Sequence, residues 1–172
     1  MRVGTKMTRY RIVILIMILA IQVLAQDWNW QNPSPQGHTI FSVKVFGEYN
    51  TLAAGMGGAI LRSTNLGTTW STIESGTTQH LYNLCFVNEN KGFAVGDSGT
   101  LLTTTDNGGS WRSINLNTKV PLSECVFIGE KHGWIAARHG GVYKTVDGGE
   151  HWERFSTQTL IDIHSISFSD SL

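Results

Sequence analysis

Histidine, cysteine and arginine are the residues of this chain most able to do chemistry, and their spacing predicts little of it. The six histidines neither recur at a fixed interval nor pair at metal-ligand spacing; they are His38, His80, His132, His139, His151 and His164. Cys85 and Cys125 form no CxxC pattern, and two thiols are too few for a disulfide scaffold. Both lie in apolar runs, so we interpret them as small buried side chains. We therefore expect neither a metal nor a cofactor.

The N-terminus has the pattern of an export signal. A basic leader precedes an unbroken apolar run, Ile12 to Ile21, and Val23-Leu24-Ala25 places small residues where a signal peptidase cuts. A membrane anchor is the alternative, but the run is about half of the roughly 20 residues that span a bilayer. We predict a signal peptide at 1–25 and an exported mature chain, located in the periplasm, at the cell surface or outside the cell, that does not span the membrane.

Loss of the leader changes the charge balance. The leader holds four of the 13 basic residues and no acidic one, which leaves nine basic against 13 acidic residues, a net charge of −4. No Lys/Arg cluster remains to neutralise a phosphate backbone. The composition therefore argues against a nucleic-acid partner.

Three similar motifs recur at a constant interval. They are STNLGTTW from Ser63, TTDNGGSW from Thr104 and TVDGGEHW from Thr145. Their final tryptophans, Trp70, Trp111 and Trp152, are spaced by 41 residues without insertion. A fixed period of this length is typical of a repeat array whose units bury their faces against one another.

Each repeat predicts four short strands separated by turns. In the second repeat these are LYNLCFV from Leu81, GFAVG from Gly92, TLLTTT from Thr100 and WRSIN from Trp111. Four antiparallel strands in about 40 residues form a β-propeller blade. The sequence therefore predicts an all-β fold: a partial β-propeller with about three four-stranded blades over 26–172, plus the start of a fourth.

The recurring motif is itself a folded turn. A carboxylate or amide oxygen two residues after Ser or Thr can accept hydrogen bonds from the turn's amides, and the following glycine tolerates positive φ. The tryptophan offers a large apolar surface that can pack between or across blades. We assign a structural role to Ser63, Asn65, Gly67, Trp70, Thr104, Asp106, Gly108, Trp111, Thr145, Asp147, Gly149 and Trp152.

This pattern, S/T-x-D-x-G-x-x-W, resembles the Asp-box, or bacterial neuraminidase repeat. The second and third copies match it in full, and the first has Asn65 in place of Asp. With its regular spacing, the chain most resembles Asp-box propellers of the photosystem II assembly and stability factor type. The resemblance implies a non-catalytic propeller that acts as a protein-binding or assembly scaffold. The arginine-rich face of that group has no counterpart in this sequence.

Sialidases also carry Asp-boxes, so a glycosidase is the alternative enzyme class. Such a site needs clustered arginines, an acid/base carboxylate and a Tyr–Glu pair. Arg62, Arg112 and Arg154 flank Asp-boxes, where we expect them on outer strands with solvated roles. We therefore expect no catalytic residues here; a carbohydrate-binding propeller is a third interpretation.

Function in a repeat protein is expected where the repeats differ. The hairpin between the second and third strands differs most, with Met56-Gly57, Asp97-Ser98 and Arg138-His139 in phase. The blade connections 74–80 and 115–121 should open onto the same face, opposite the Asp-box turns. We nominate Asp97, Arg138 and His139 as contacts for a protein or glycan partner.

The two ends suggest a longer ring. Ser169-Asp170 aligns to within one residue with Asn88-Glu89 two periods earlier, at the first turn of a repeat, and closed propellers need about four to eight blades. We therefore expect an N-terminal fragment of a larger propeller with exposed strand edges. Trp28 to Gln31 resembles a lone fourth strand that would complete the last blade.

Overall fold

The computed structural model describes residues 37–168, which fold into three four-stranded antiparallel sheets. Blade 1 consists of β1 (Ile40–Phe46), β2 (Asn50–Gly55), β3 (Ile60–Ser63) and β4 (Ser71–Ile73). Blade 2 consists of β5 (Leu81–Phe86), β6 (Gly92–Gly96), β7 (Leu101–Thr104) and β8 (Arg112–Ile114). Blade 3 consists of β9 (Leu122–Ile128), β10 (His132–Ala137), β11 (Gly141–Thr145) and β12 (Glu153–Ser156). This confirms the predicted partial β-propeller.

Strand order within each blade follows chain order, and turns join neighbouring strands. The register repeats with the period, since Gly92 pairs with Phe86 and Gly133 with Phe127. In blade 2 the second strand, β6, is buried along its whole length. A central strand with a neighbouring blade on each face has no solvent side, so it is apolar throughout rather than alternating.

The hydrophobic core lies between the blades. One cluster joins blades 1 and 2 and includes Leu52, Ile60, Leu84 and Leu102. A second cluster joins blades 2 and 3 around Phe93, whose ring stacks on Phe127 at 5.2 Å between centroids. Each blade therefore depends on the next blade for burial of its apolar faces.

The two cysteines form a disulfide between β5 and β9, which corrects our interpretation of them as separate thiols. They are almost fully buried, with Cα atoms 5.8 Å apart. Their separation of 40 residues is one less than the repeat period. Since the repeat places equivalent residues on adjacent first strands, this offset brings Cys85 and Cys125 face to face.

A series of side-chain hydrogen bonds also crosses the blade boundaries. Ser42 Oγ accepts a bond from the Leu84 N–H at 3.1 Å. Asn83 Oδ1 accepts from the Cys125 N–H at 3.3 Å, and Glu124 Oε2 accepts from the Ile166 N–H at 2.6 Å. The three acceptors are themselves 41 residues apart. Each first strand thus supplies one oxygen to a backbone N–H that lies one residue beyond the equivalent position in the next repeat.

Three sequence predictions fall outside the described residues: the leader at 1–25, the strand-like segment Trp28 to Gln31 and the turn at Ser169-Asp170. Across residues 37–168, no helix has the length and apolar character needed to cross a membrane. Arg112 and Arg154 lie on the outermost strands as expected, but Arg62 lies in β3, one strand further in.

Candidate binding face and its supporting turns

The turn of each Asp-box is held together by the hydroxyl group of the first residue of its motif. The hydroxyl oxygen of Thr104 accepts hydrogen bonds from the N–H groups of Asp106 and Gly108, at 3.3 and 2.9 Å, and donates to Asp106 Oδ1 at 2.8 Å. Ser63 and Thr145 make the same three bonds in their own boxes. The hydroxyl-bearing residues and the glycines are buried, so the bond to each glycine N–H satisfies an amide that is shielded from water.

The acidic or amide side chain of each box then ties down the end of the turn. Asp106 Oδ1 accepts from the Ser110 N–H, and its Oδ2 accepts from the Ser110 hydroxyl at 2.6 Å. Asp147 binds the His151 N–H and lies 2.7 Å from His151 Nδ1. In the first box Asn65 Oδ1 accepts from the Thr69 N–H at 2.8 Å. An amide oxygen therefore performs the same backbone contact as the carboxylate.

These bonds lower the pKa of the box carboxylates. Hydrogen bonds from Ser110, and then from Thr104, lower the pKa of Asp106 to about 2. The backbone N–H of His151, the Thr145 hydroxyl and the His151 ring lower the pKa of Asp147 well below its usual range. Donors that favour the charged form oppose protonation.

Acid should therefore weaken the boxes. An aspartate with a lowered pKa stabilises the fold fully above its unfolded-state pKa of about 4, and that contribution is lost as the pH falls through about 2. We expect Asp106→Asn, which copies the first box, to flatten the pH dependence of the urea unfolding midpoint between about pH 4 and pH 2. An unchanged pH profile would contradict the assigned role of these bonds.

The Asp-box turns also clamp neighbouring blades together. A Cβ added to Gly108 would lie 2.3 Å from Leu52 Cδ1 of blade 1, and one added to Gly149 would lie 2.3 Å from Phe93 Cζ of blade 2. Trp152 packs edge-on against Phe93 and Phe127 at 5.8 and 5.9 Å. The second and third boxes thus pack against the preceding blade. We call the surface formed by the three boxes the box face.

The opposite surface, which we call the hairpin face, is formed by turns 56–58, 97–99 and 138–140 together with connections 74–80, 115–121 and 157–163. Each hairpin turn is tied to the residue that precedes a first strand: Met56 N–H to Thr39 O, Asp97 N–H to His80 O and Arg138 N–H to Pro121 O, at 2.9 to 3.0 Å. These backbone bonds do not depend on side chains. The backbone of these turns is therefore held in the same way in every repeat, while the side chains at these positions differ.

The three nominated residues all lie on the hairpin face. The Asp97 carboxylate accepts a 2.7 Å hydrogen bond from the Tyr82 hydroxyl. Arg138 is partly exposed, with Nε 3.9 Å from Asp162 Oδ2. The His139 backbone, at φ 55°, donates an N–H to Asp162 Oδ1 at 3.0 Å, and the residue is exposed. The fold places Asp97 in contact with Tyr82, and it places Arg138 and the His139 backbone both beside Asp162.

Sequence reasoning missed the residues around these three. Burial and the Asp97 hydrogen bond raise the pKa of Tyr82, while Arg138 opposes the shift. Phe41 is 44% exposed, and its ring packs edge-on against the Tyr82 ring, with 5.4 Å between centroids. The His80 ring lies 6.4 Å from the Phe41 ring, also between centroids. Phe41 and Tyr82 are 41 residues apart, at the start of consecutive first strands. That in-phase aromatic pair was the signal that could have found them.

Residues 19–105, about half of the chain, match the family model described as photosynthesis system II assembly factor YCF48. The chain belongs to this family. The match covers the first Asp-box and most of the second repeat, which are built like the third. The three blades described above are therefore those of a YCF48 family member.

Solved structures of YCF48 have the same fold. A structure of YCF48 bound to a D1 peptide is 24% identical, with a TM-score of 0.67, over 79% of this chain and 46% of that one. YCF48 from Cyanidioschyzon merolae is 21% identical, with a TM-score of 0.62, over 74% of this chain and 43% of that one. The chain therefore spans less than half of the length of these YCF48 structures.

A more distant fold match is an ancestral GH74 enzyme, 18% identical with a TM-score of 0.58, over 69% of this chain and 18% of that one. At this identity the likeness shows the fold alone. No curated protein sequence matches the chain.

Proposed function

We propose that this chain is an exported, non-catalytic propeller that holds an extended segment of a partner protein on its hairpin face. The observation that carries the proposal is a set of polar side chains on and beside the hairpin face, which we call the charged row: Tyr82, Asp97, Arg138 and Asp162. Together they offer hydrogen-bond donors, acceptors and both signs of charge on turns whose backbone repeats from blade to blade. One solved YCF48 structure has a D1 peptide bound, which supports a peptide as the ligand class.

Extended peptides suit this surface. Arg138 is partly exposed and offers guanidinium N–H groups beside a carboxylate 3.9 Å away, so an incoming acceptor can share it. Phe41 and Tyr82 supply apolar contact next to these charges. Aromatic and arginine side chains contribute most to protein recognition when they lie close together.

Export is supported by the bridge between Cys85 and Cys125. Disulfides persist in oxidising compartments and are rare in a reducing cytosol. Together with the leader pattern at 1–25, the bridge favours a periplasmic, surface or extracellular location. A non-catalytic role is supported by the positions of Arg112 and Arg154. Both lie on the outermost strands and not on the hairpin face, so they do not contribute to the arginine cluster that a sialidase-type site needs there.

Glycan binding is the second candidate, because Phe41 and Tyr82 are in phase in the first two blades and pack together beside the hairpin face. Exposed aromatic rings can stack on sugar rings as well as on peptide side chains. A glycan array probed with the full chain separates the two ligand classes.

Peptide binding can be tested with the D1 segment present in the solved YCF48 complex, alongside a displayed random peptide library. We expect a peptide to bind, and Arg138→Ala to weaken that binding about fivefold or more in fluorescence anisotropy. Arg154→Ala, on the exposed outermost strand of the same blade, is the matched control and should leave binding unchanged. Equal affinity of wild type and Arg138→Ala, or no peptide ligand from either source, would overturn the proposal.

A further inference from the structure

The charged row crosses the boundary between blades 2 and 3. Tyr82 lies on β5 and Asp97 on the turn after β6, so their 2.7 Å hydrogen bond belongs to blade 2. Arg138 lies on the turn after β10, and its 3.9 Å ion pair with Asp162 belongs to blade 3 and the connection after it. Within residues 37–168, no hydrogen bond or ion pair joins one of these pairs to the other. The separation of the two pairs therefore depends on how the two blades are held together.

Both pairs are attached to the first strands of their blades. Tyr82 lies in β5 itself, and the C=O of His80, directly before β5, accepts the Asp97 N–H at 2.9 Å. The C=O of Pro121, directly before β9, accepts the Arg138 N–H at 3.0 Å. The placement of β5 relative to β9 therefore sets the spacing between the two pairs.

The disulfide joins these two strands close to the charged row. Cys85 lies in β5, three residues after Tyr82, and Cys125 lies in β9, four residues after Pro121. Only a few residues therefore separate the bridge from the attachment point of each pair. The sequence has two cysteines, and both are used at the boundary that the charged row crosses.

The boundary between blades 1 and 2 is held without a covalent link. The residues equivalent to Cys85 and Cys125 are there Lys44 and Leu84, which cannot form a bridge. An apolar cluster and the hydrogen bond from the Leu84 N–H to Ser42 Oγ hold these two blades together. Packing and hydrogen bonds thus suffice to join two blades of this fold. The bridge adds a constraint at the one described boundary where the charged row is divided between two blades.

We propose that the Cys85–Cys125 bridge is a positioning element of the charged row, which holds the blade 2 pair and the blade 3 pair at the spacing that a partner peptide requires. This inference rests on the proposed function, because the charged row is the proposed peptide site. A bridge that acts on stability alone restricts the unfolded chain and leaves the folded site unchanged. A positioning bridge preorganises the folded site, and its loss weakens binding because the peptide must then order the two pairs.

The first test compares the peptide affinity of oxidised wild type and of Cys85→Ala/Cys125→Ala, as full chains that circular dichroism shows to be folded. We expect the double variant to bind about fivefold more weakly or worse in fluorescence anisotropy. Gly108→Ala is the matched control, because its methyl would lie 2.3 Å from Leu52 Cδ1 and strain the boundary between blades 1 and 2 instead. It should bind peptide like wild type. Equal affinity of the double variant and wild type would overturn the proposal.

A second measurement needs no peptide. The charge of Arg138 opposes the rise in the pKa of Tyr82, so Arg138→Ala should raise that pKa further in the bridged protein. In the protein without the bridge we expect Arg138→Ala to change the pKa of Tyr82 less, because Arg138 is no longer held at a fixed distance from Tyr82. Titration of the tyrosine ring signals by NMR, assigned with Tyr82→Phe, measures both changes. An equal effect of Arg138→Ala with and without the bridge contradicts a positioning role.

Together the two measurements separate this inference from the proposed function. If no peptide binds but the response of Tyr82 depends on the bridge, the proposed function fails and the positioning role stands. If peptide binds equally well with and without the bridge, the positioning role fails and the proposed function stands. Wild type reduced with dithiothreitol, which is itself oxidised as it converts the bridge to two thiols, replaces the double variant if that variant does not fold. Loss of the fold in both forms would also overturn the proposal, because the bridge would then act through stability.

Discussion

Replacing Cys85 and Cys125 together by alanine should lower the free energy of unfolding by about 4 kcal/mol. The bridge closes a 40-residue loop between the first strands of blades 2 and 3, and its removal restores that loop's freedom to the unfolded chain. Both residues also lie in the core around Phe93, so blades 2 and 3 should loosen first. Urea unfolding of the oxidised wild type and of the double variant measures the difference.

Reduction of the wild type provides the control for this prediction. With dithiothreitol present, wild type and double variant should unfold at similar urea concentrations, because both then lack the bridge. A wild type equally stable with and without reductant would show that the bridge contributes nothing to folding. Free-thiol titration of the native protein checks that the starting material is oxidised.

Replacing Gly149 by alanine should cost about 3 kcal/mol of folding free energy. Gly149 has φ 90°, which an alanine adopts only with strain, and its new methyl would lie 2.3 Å from Phe93 Cζ. Phe93 is fully buried and stacked on Phe127, so it has little room to move. Thermal or urea unfolding of the variant measures the loss.

Gly76→Ala separates the two causes. Gly76 has φ 73°, but a Cβ there meets nothing within 4 Å, so only backbone strain of about 1 kcal/mol is expected. The difference between the two variants reports the contact between the third Asp-box and blade 2. If both variants lose the same stability, the box does not clamp the neighbouring blade.

The sequence predicted the architecture because a repeat states the same fold several times. Three in-register motifs and the turns between them predicted four strands per blade, and the structure confirms this. The prediction was robust since an error in one repeat is corrected by the other two. The Asp-box hydrogen bonds are local, within four residues, so their positions are also readable from the chain.

Residue pairs that join a hairpin turn to a distant strand or connection were not readable in this way. Tyr82 and Asp97 are 15 residues apart, and His139 and Asp162 are 23 apart, and neither pair has a local pattern. Each hydrogen bond depends on where a hairpin turn lies relative to the segment beside it. The sequence could nominate Asp97, Arg138 and His139 as variable, but not supply their neighbours.

The cysteines show most clearly which properties follow from local sequence and which depend on the tertiary structure. Their apolar surroundings predicted burial, which depends on local composition, and both are buried. Their bond depends on the offset between two first strands in adjacent blades, which brings Cα atoms 40 residues apart to within 5.8 Å. The sequence alone determined the repeat, the blades and the box turns, because these arise from local and periodic forces. The tertiary structure decided the bridge and the charged row of the hairpin face, because both require separate segments of the chain to be placed against each other.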